Sequence, residues 1–168
     1  PGSFLAFCRA LGKRSITEFN YRYSDQEQAQ VFCGVEMRNG NTERLMLIDQ
    51  LVAKGFQVVD LTDNETAKLH IRYMVGGRAP QAVNEKLFRF EFPERPGALF
   101  DFLKGLSRGW NISLFHYRNH GAAYGRVLVG LQLDRGDVKA FRSYMEDSGY
   151  GYQEETDNVA YQLFARGG

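Results

Sequence analysis

One pattern is written twice along these 168 residues, the second time about 95 residues after the first. PGSFLAFCRAL at 1–11 returns as PGALFDFLKGL at 96–106, and ITEFNYR at 16–22 returns as ISLFHYR at 112–118. Over 16–37 the copies align at a constant offset of 96, with identities at Ile16/Ile112, Phe19/Phe115, Tyr21/Tyr117, Arg22/Arg118, Val31/Val127 and Gly34/Gly130. Composition alone supplies about one or two matches in such a window. The copies also close alike, Gly55-Phe56 answering Gly149-Tyr150 and Thr62-Asp63-Asn64 answering Thr156-Asp157-Asn158. A duplicated module therefore constrains the fold before any other feature. Modules of roughly 80 residues sit near the lower size limit for an independent core, so a shared interface between the copies is expected.

The second copy reads most clearly. LFRFEF at 87–92 alternates as a strand, and PERPG at 93–97 turns into a helix. Proline at the start of that helix is tolerated because its missing N–H would be unpaired anyway. Leu99, Phe102, Leu103 and Leu106 form one apolar stripe at helical spacing. Strand-like runs follow at 112–118 and 126–133, joined by a turn around His120-Gly121. Val138, Phe141, Tyr144 and Met145 then mark a helix stopped by Gly149, and a short strand covers 152–155. The first copy repeats this order without an opening strand: a helix over 3–11, strands over 16–23 and 30–37, and a helix with Asn41 as N-cap, Leu45, Ile48, Leu51 and Val52 as its stripe and Gly55 as its stop. A closing strand is expected over 58–61, a short helix capped by Thr62-Asp63-Asn64 through about His70, and a connector over 74–80.

The order β-α-β-β-α-β is ferredoxin-like, placing the chain in the α+β class with antiparallel sheets and helices on one face. The division falls at 1–80 and 81–168, and the first module lacks its opening strand, so a matching strand is expected upstream of Pro1. Strand parity sends Val31, Cys33, Val35 and Met37, like Val127, Val129, Leu131 and Leu133, toward the helices. Gly34 and Gly130, mid-strand at the same place in both copies, suggest close approach of another backbone or a ligand.

Lysine plus arginine number 21 against 20 acidic residues, with no long block of one sign, which does not advertise a nucleic-acid or membrane surface. The aromatic-basic strands FNYRY and FHYR invite comparison with an RNA-recognition face, but balanced charge and the missing aromatic RNP pattern argue against it. Cys8 and Cys33 lie in apolar runs and read as reduced core thiols. His116 and His120 are four apart on a segment running from strand into turn, where that spacing does not share a face as it would on a helix, and no third metal ligand accompanies them. No apolar stretch approaches the roughly 20 residues needed to cross a bilayer, and no signal peptide is visible. A cytoplasmic location fits best.

AKLHIRYMVGGR at 67–78, FEFPERPGALFDFL at 90–103, NISLFHYRNHG at 111–121 and YGRVLVG at 124–130 closely resemble the C-terminal regulatory region of biosynthetic threonine deaminase, a pair of ACT-like modules. The resemblance covers essentially the whole chain. It implies an allosteric role in isoleucine biosynthesis, with isoleucine bound as feedback inhibitor and valine as its antagonist, in a homo-oligomer. It also implies an N-terminal pyridoxal-phosphate catalytic domain outside this sequence. No catalytic residue, metal ligand or cofactor is assigned within the chain itself.

Matched motif to motif, the effector positions implied by the resemblance are Phe4, Arg14 and Tyr21 in the first copy and Leu99, Ile112 and Tyr117 in the second. Phe4, Leu99 and Ile112 would shape an apolar pocket for a branched side chain, and the two tyrosines would place hydroxyls against the ligand or across the interface. The Pro-Gly turn opening each first helix, Gly97 in the second copy, offers unpaired amides to a carboxylate. Glu94 would face the ammonium, and His116, whose equivalent is Asn20, is expected to line the site. The competing reading is a structural or assembly module without a ligand site of its own.

Overall fold

The computed structural model describes residues 3–23, 29–73, 75–93, 95, 97–106, 109–119 and 123–166. The first copy supplies α1 (Ser3–Leu11), β1 (Ile16–Arg22), β2 (Val31–Val35), α2 (Gly40–Ala53) and the short α3 (Glu65–Leu69), followed by a 3-10 turn at Ile71–Tyr73. The second supplies β3 (Glu85–Pro93), α4 (Ala98–Leu106), β4 (Asn111–Arg118), β5 (Tyr124–Gln132), α5 (Arg135–Ser148), β6 (Gly151–Glu154) and the short α6 (Val159–Phe164).

All six strands join one antiparallel sheet in the order β2-β1-β4-β5-β3-β6. Within the second copy, β6-β3-β5-β4 is the ferredoxin-like order expected from the sequence. The copies meet strand to strand. β1 pairs with its own equivalent, β4, so that Phe19 faces Tyr117, Tyr21 faces Phe115, and Asn20 faces His116. At the repeat offset of 96 these pairs interchange, which places the Asn20/His116 pair on a local two-fold axis.

Parity along the strands separates two faces. Toward the four longer helices point Phe88, Phe90, Phe92, Phe115, Tyr117, Val127, Val129 and Leu131, joined by Phe19 and Tyr21 from the first copy in one cluster. Phe19 and Phe115, both 0% exposed, meet edge to face with ring centres 5.5 Å apart across the boundary between the copies. Fully burying a side chain of this size stabilises by about 1.5 to 3 kcal/mol, and such ring pairs add about 0.5 to 1.5 kcal/mol. The shared interface thus belongs to the main core.

On the other face Tyr161 of α6 covers Leu87 and Leu114. Beside this cluster is a buried ion pair, Arg22 with Glu85, their side chains 2% and 3% exposed. Arg22 forks onto both carboxylate oxygens (Nη2 to Oε2, 3.1 Å) and also donates to the carbonyls of Gly77 (3.0 Å), Ala165 (2.6 Å) and Ser113 (3.3 Å). The Ser113 and Tyr161 hydroxyls donate to the same carboxylate. One arginine therefore ties β1 to β3, β4, the connector and the end of α6. Burial by itself would raise the Glu85 carboxyl, but the hydrogen bonds from Arg22, Ser113 and Tyr161 outweigh it and hold the group below the usual carboxylate range.

The mid-strand glycines answer to this face. A Cβ on Gly130 would stand 2.8 Å from Glu85 Oε1, 2.9 Å from Leu114 Cβ and 3.0 Å from Ser113 Oγ; on Gly34 it would stand 2.5 Å from Thr17 Oγ1. Side chains from neighbouring strands fill the space, in place of the backbone or ligand expected from sequence.

Two boundaries also differ from expectation. α2 begins at Gly40 with Asn39, not Asn41, as its N-cap, and the Glu43 carboxylate accepts the backbone N–H groups of Arg38 and Asn39 at 2.9 and 3.1 Å. Residues 56–61 form no strand. Their counterpart, β6, exists by pairing with β3, and the described first copy holds no strand equivalent to β3. A ladder without a partner cannot form. The Asn64 cap is as expected, its side chain accepting the Ala67 N–H at 2.9 Å, and Asn158 caps α6 in the same way. The turn at His120-Gly121 lies outside the described residues.

Replacing Arg22 by Met leaves Glu85 buried without its cation and is expected to cost about 3 to 5 kcal/mol in urea unfolding, most of it recovered by adding Glu85→Leu. Because folding depresses the Glu85 pKa, its contribution is present above the unfolded value of about 4.3 and is lost as pH falls through the lower folded value. An acid titration of stability should therefore fall more steeply for the parent than for the double variant.

Candidate functional site

A hollow of about 130 Å³ opens where the two copies face each other at one end of the β1/β4 pair. The first copy contributes Cys8 of α1 and the loop from Gly12 through Ile16. The second contributes Arg95, Gly97, Leu99 and Phe100 at the start of α4, with Tyr117 and Asn119 at the end of β4. The volume falls below the roughly 300 to 1,000 Å³ of sites for drug-sized ligands, a size suited to something as small as an amino acid.

Each wall follows from local chain chemistry. Arg14 is clamped, its Nε donating to Glu43 at 3.2 Å and its Nη1 to the Leu11 carbonyl at 2.9 Å. Glu43 is held below the usual carboxylate range first by the backbone N–H groups of Asn39 and Arg38, then by Arg14. Across the hollow, Gly97 takes a left-handed φ of 85° and its carbonyl accepts the Asp101 N–H at 2.9 Å, starting α4. The Ala98 amide donates to the Arg95 carbonyl at 2.9 Å. Leu99 and Phe100, the next residues of this positively polarised helix end, both line the hollow. Arg95 reaches Asp101 at 2.5 Å. The floor is apolar: Tyr117, 2% exposed, stacks on Phe92 with centres 6.2 Å apart, and burial pushes the Cys8 thiol up to about 12.

Four positions singled out from sequence, Arg14, Gly97, Leu99 and Tyr117, come together here. Phe4 and Tyr21 lie instead at the place related by the local two-fold, where Ile112 is the repeat equivalent of Ile16 in the hollow. Phe4 packs on Tyr21 edge to face at 4.6 Å. Ile112 immediately precedes Ser113, whose carbonyl accepts the Tyr23 N–H at 2.7 Å. His116 lines neither, since parity turns it to the sheet face opposite Tyr117, where it stands exposed across from Asn20. A single pocket on the helix face cannot use both residues. Glu94 lies outside the described residues. Sequence reasoning missed Cys8, Arg95, Phe100 and Asn119; Arg95 adjoins the Pro-Gly turn, and that adjacency was the available signal.

A larger hollow, about 630 Å³, lies beyond β2 and is bounded by 56–62. It adjoins β2, which among the described residues pairs with β1 alone. Among the described residues, no group of three or more His, Cys, Asp or Glu side chains could hold a metal, and no helix is long and apolar enough to cross a membrane.

The family model for the C-terminal regulatory domain of threonine dehydratase matches residues 1–71 and 76–165. The chain belongs to that family. It is 52% identical over 163 residues to the biosynthetic L-threonine dehydratase of Burkholderia multivorans, covering 97% of this chain and 32% of the relative. Against the Escherichia coli enzyme of the same name the identity is 51% over 167 residues, covering 99% and 32%. Against the mitochondrial threonine dehydratase of Saccharomyces cerevisiae it is 44% over 174 residues, covering 99% and 30%. The chain thus spans about a third of the length of these relatives.

With its thiol pushed up to about 12 and only 2% of its surface exposed, Cys8 should resist iodoacetamide at pH 8 in the folded protein and react once urea unfolds it. Rapid labelling under native conditions, followed by mass spectrometry, would show that this wall of the hollow opens readily.

Proposed function

We propose that this chain is the amino-acid sensor of a threonine dehydratase, taking isoleucine as inhibitor in the cleft between its copies and valine as the antagonist. The observation that carries the reading is the convergence of Arg14 from one copy with Gly97, Leu99 and Tyr117 from the other around a hollow of about 130 Å³. The start of α4 and the arginines favour a carboxylate, while Leu99 and Phe100 suit a branched apolar side chain. Because both copies build the walls, a ligand there changes the preferred packing of one against the other. Allosteric coupling of this kind amounts to about 1 to 3 kcal/mol.

Valine lacks one methylene of isoleucine, a difference a pocket discriminates by only about 1 to 3 kcal/mol. Opposite effects therefore call for different sites or different favoured states. The two-fold-related place at Phe4, Tyr21 and Ile112 supplies a second location with different walls. In this reading the two ACT-like modules, 1–80 and 81–168, act on a pyridoxal-phosphate catalytic domain of the same polypeptide, in a cytoplasmic homo-oligomer.

An assembly role has its own observation. Leu45 (58%) and Val52 (55%), expected from spacing on the inward stripe of α2, stand exposed with Met46 (64%), while Leu47 and Leu51 are the buried residues; the equivalent helix α5 carries Lys139, Ala140 and Glu146 at the exposed positions. Sensing and assembly are compatible, because a regulatory domain must touch what it regulates.

Calorimetric titration of isoleucine into the full-length protein should show binding that Tyr117→Phe weakens by up to about tenfold, the loss of one hydrogen bond. Tyr21→Phe should change a different phase or the valine response. Absence of binding at millimolar concentration to a folded, assembled sample would overturn the sensor reading.

A further inference from the structure

Two arginines in unlike states wall the hollow between the copies. Arg14 is fixed from two sides, Nε on Glu43 and Nη1 on the Leu11 carbonyl, and its side chain is 23% exposed. Arg95 is 61% exposed, and its side chain's one hydrogen bond among the described residues runs from Nη2 to Asp101 Oδ2 at 2.5 Å. The Arg95 main chain, by contrast, is anchored, its carbonyl accepting the Ala98 N–H where α4 begins. A long, exposed side chain therefore hangs from a fixed backbone beside the hollow it lines.

Asp101 is placed to hold that side chain back. It is the acidic residue in the first turn of α4, and its backbone N–H already serves the helix start through the Gly97 carbonyl. The carboxylate, 43% exposed, meets Arg95, while Leu99 and Phe100 of the same turn line the hollow. In the first copy the position of Asp101 is held by Ala6, so α1 opens without this acid. The pair belongs to the one helix start that faces the hollow.

Relative strengths decide what the pair does when an anion arrives. An exposed ion pair favours its closed geometry by no more than about fivefold. A carboxylate between the fixed Arg14 and the start of α4 offers the planar guanidinium fork a charge-assisted, two-pronged bond away from bulk water, which is the stronger arrangement. A guanidinium is also disfavoured at the positively polarised end of a helix, and an anion seated there relieves that cost.

We propose that Arg95 gates the hollow: Asp101 holds it aside in the free state, and it exchanges Asp101 for the carboxylate of an entering amino acid, closing on the ligand opposite Arg14. Asp101 is then a built-in competitor that sets the affinity of the site, one carboxylate displacing another. The exchange demands a free carboxylate on the ligand. It rests on the sensor reading of this hollow and assigns the two arginines different tasks within it, one a fixed wall and the other a closing arm.

Calorimetric titration of isoleucine into the full-length protein tests it through a double-variant cycle. Asp101→Asn should tighten binding by about two- to fivefold, because the competitor is gone. Arg95→Met should weaken it by about tenfold or more, the loss of a charge-assisted bond. With Arg95→Met in place, Asp101→Asn should no longer tighten binding. That coupling separates a gate from a general change of charge at the start of α4, which would act equally in both backgrounds. Equal effects of Asp101→Asn with and without Arg95, or full affinity in Arg95→Met, overturn the gate and leave the sensor reading standing. Absence of isoleucine binding to the folded parent overturns both.

Discussion

The rest of the structure depends on the pairing of β1 with β4. Each is the same strand of its own copy, and joining equivalent strands antiparallel imposes a local two-fold on everything attached to them. Phe19 and Phe115 are brought edge to face, the core becomes continuous from α1 to α5, and the loop before β1 is set against the start of α4. The hollow between the copies is a consequence of that placement. Neither copy builds it alone.

The same pairing creates the second face, where the copies stop being equivalent. Arg22 and Arg118 occupy matching positions, yet Arg22 is buried on Glu85 whereas Arg118 lies over the Tyr73 ring, 5.0 Å from its centre, and donates to the Tyr73 hydroxyl at 3.2 Å. Beside it the carboxylate comes from Glu18, paired with Arg72, and not from a residue equivalent to Glu85. A buried ion pair contributes little net stability compared with apolar packing, but it tolerates few alternative arrangements once its hydrogen bonds are complete. Here it fixes how the connector and α6 close over the sheet.

Much of this was legible in the chain. The helices declared themselves through Leu99, Phe102, Leu103 and Leu106, and the topology through the repeated strand pair, because periodicity and turn chemistry are local. What periodicity cannot carry is which strand meets which across the copies. That is why candidate positions grouped by copy in the sequence, Phe4, Arg14 and Tyr21 against Leu99, Ile112 and Tyr117, are regrouped across the copies in space, Arg14 standing with Leu99 and Tyr117. His116 shows a signal left unused: next to Tyr117 in one strand, it faces the other way by parity alone, whichever strand lies beside it. Gly34 and Gly130 were rightly singled out for close approach, but the approaching groups, Thr17 and Glu85, come from other strands. The missing closing strand, expected at 58–61, has the same origin, since a strand is a property of a pair.

Duplication followed by divergence gives two related places with unlike chemistry. Where the hollow has Leu99, Arg14 and Asn119, the two-fold-related positions carry Phe4, Trp110 and Tyr23. Phe4 is packed on Tyr21 at 4.6 Å and Trp110 on Phe141 at 5.2 Å, so rings occupy space that a leucine and an arginine leave open on the other side. A ligand entering both places would meet a clamped guanidinium and a helix start in one and an aromatic cluster in the other. Equal affinity at the two is therefore not expected from the geometry.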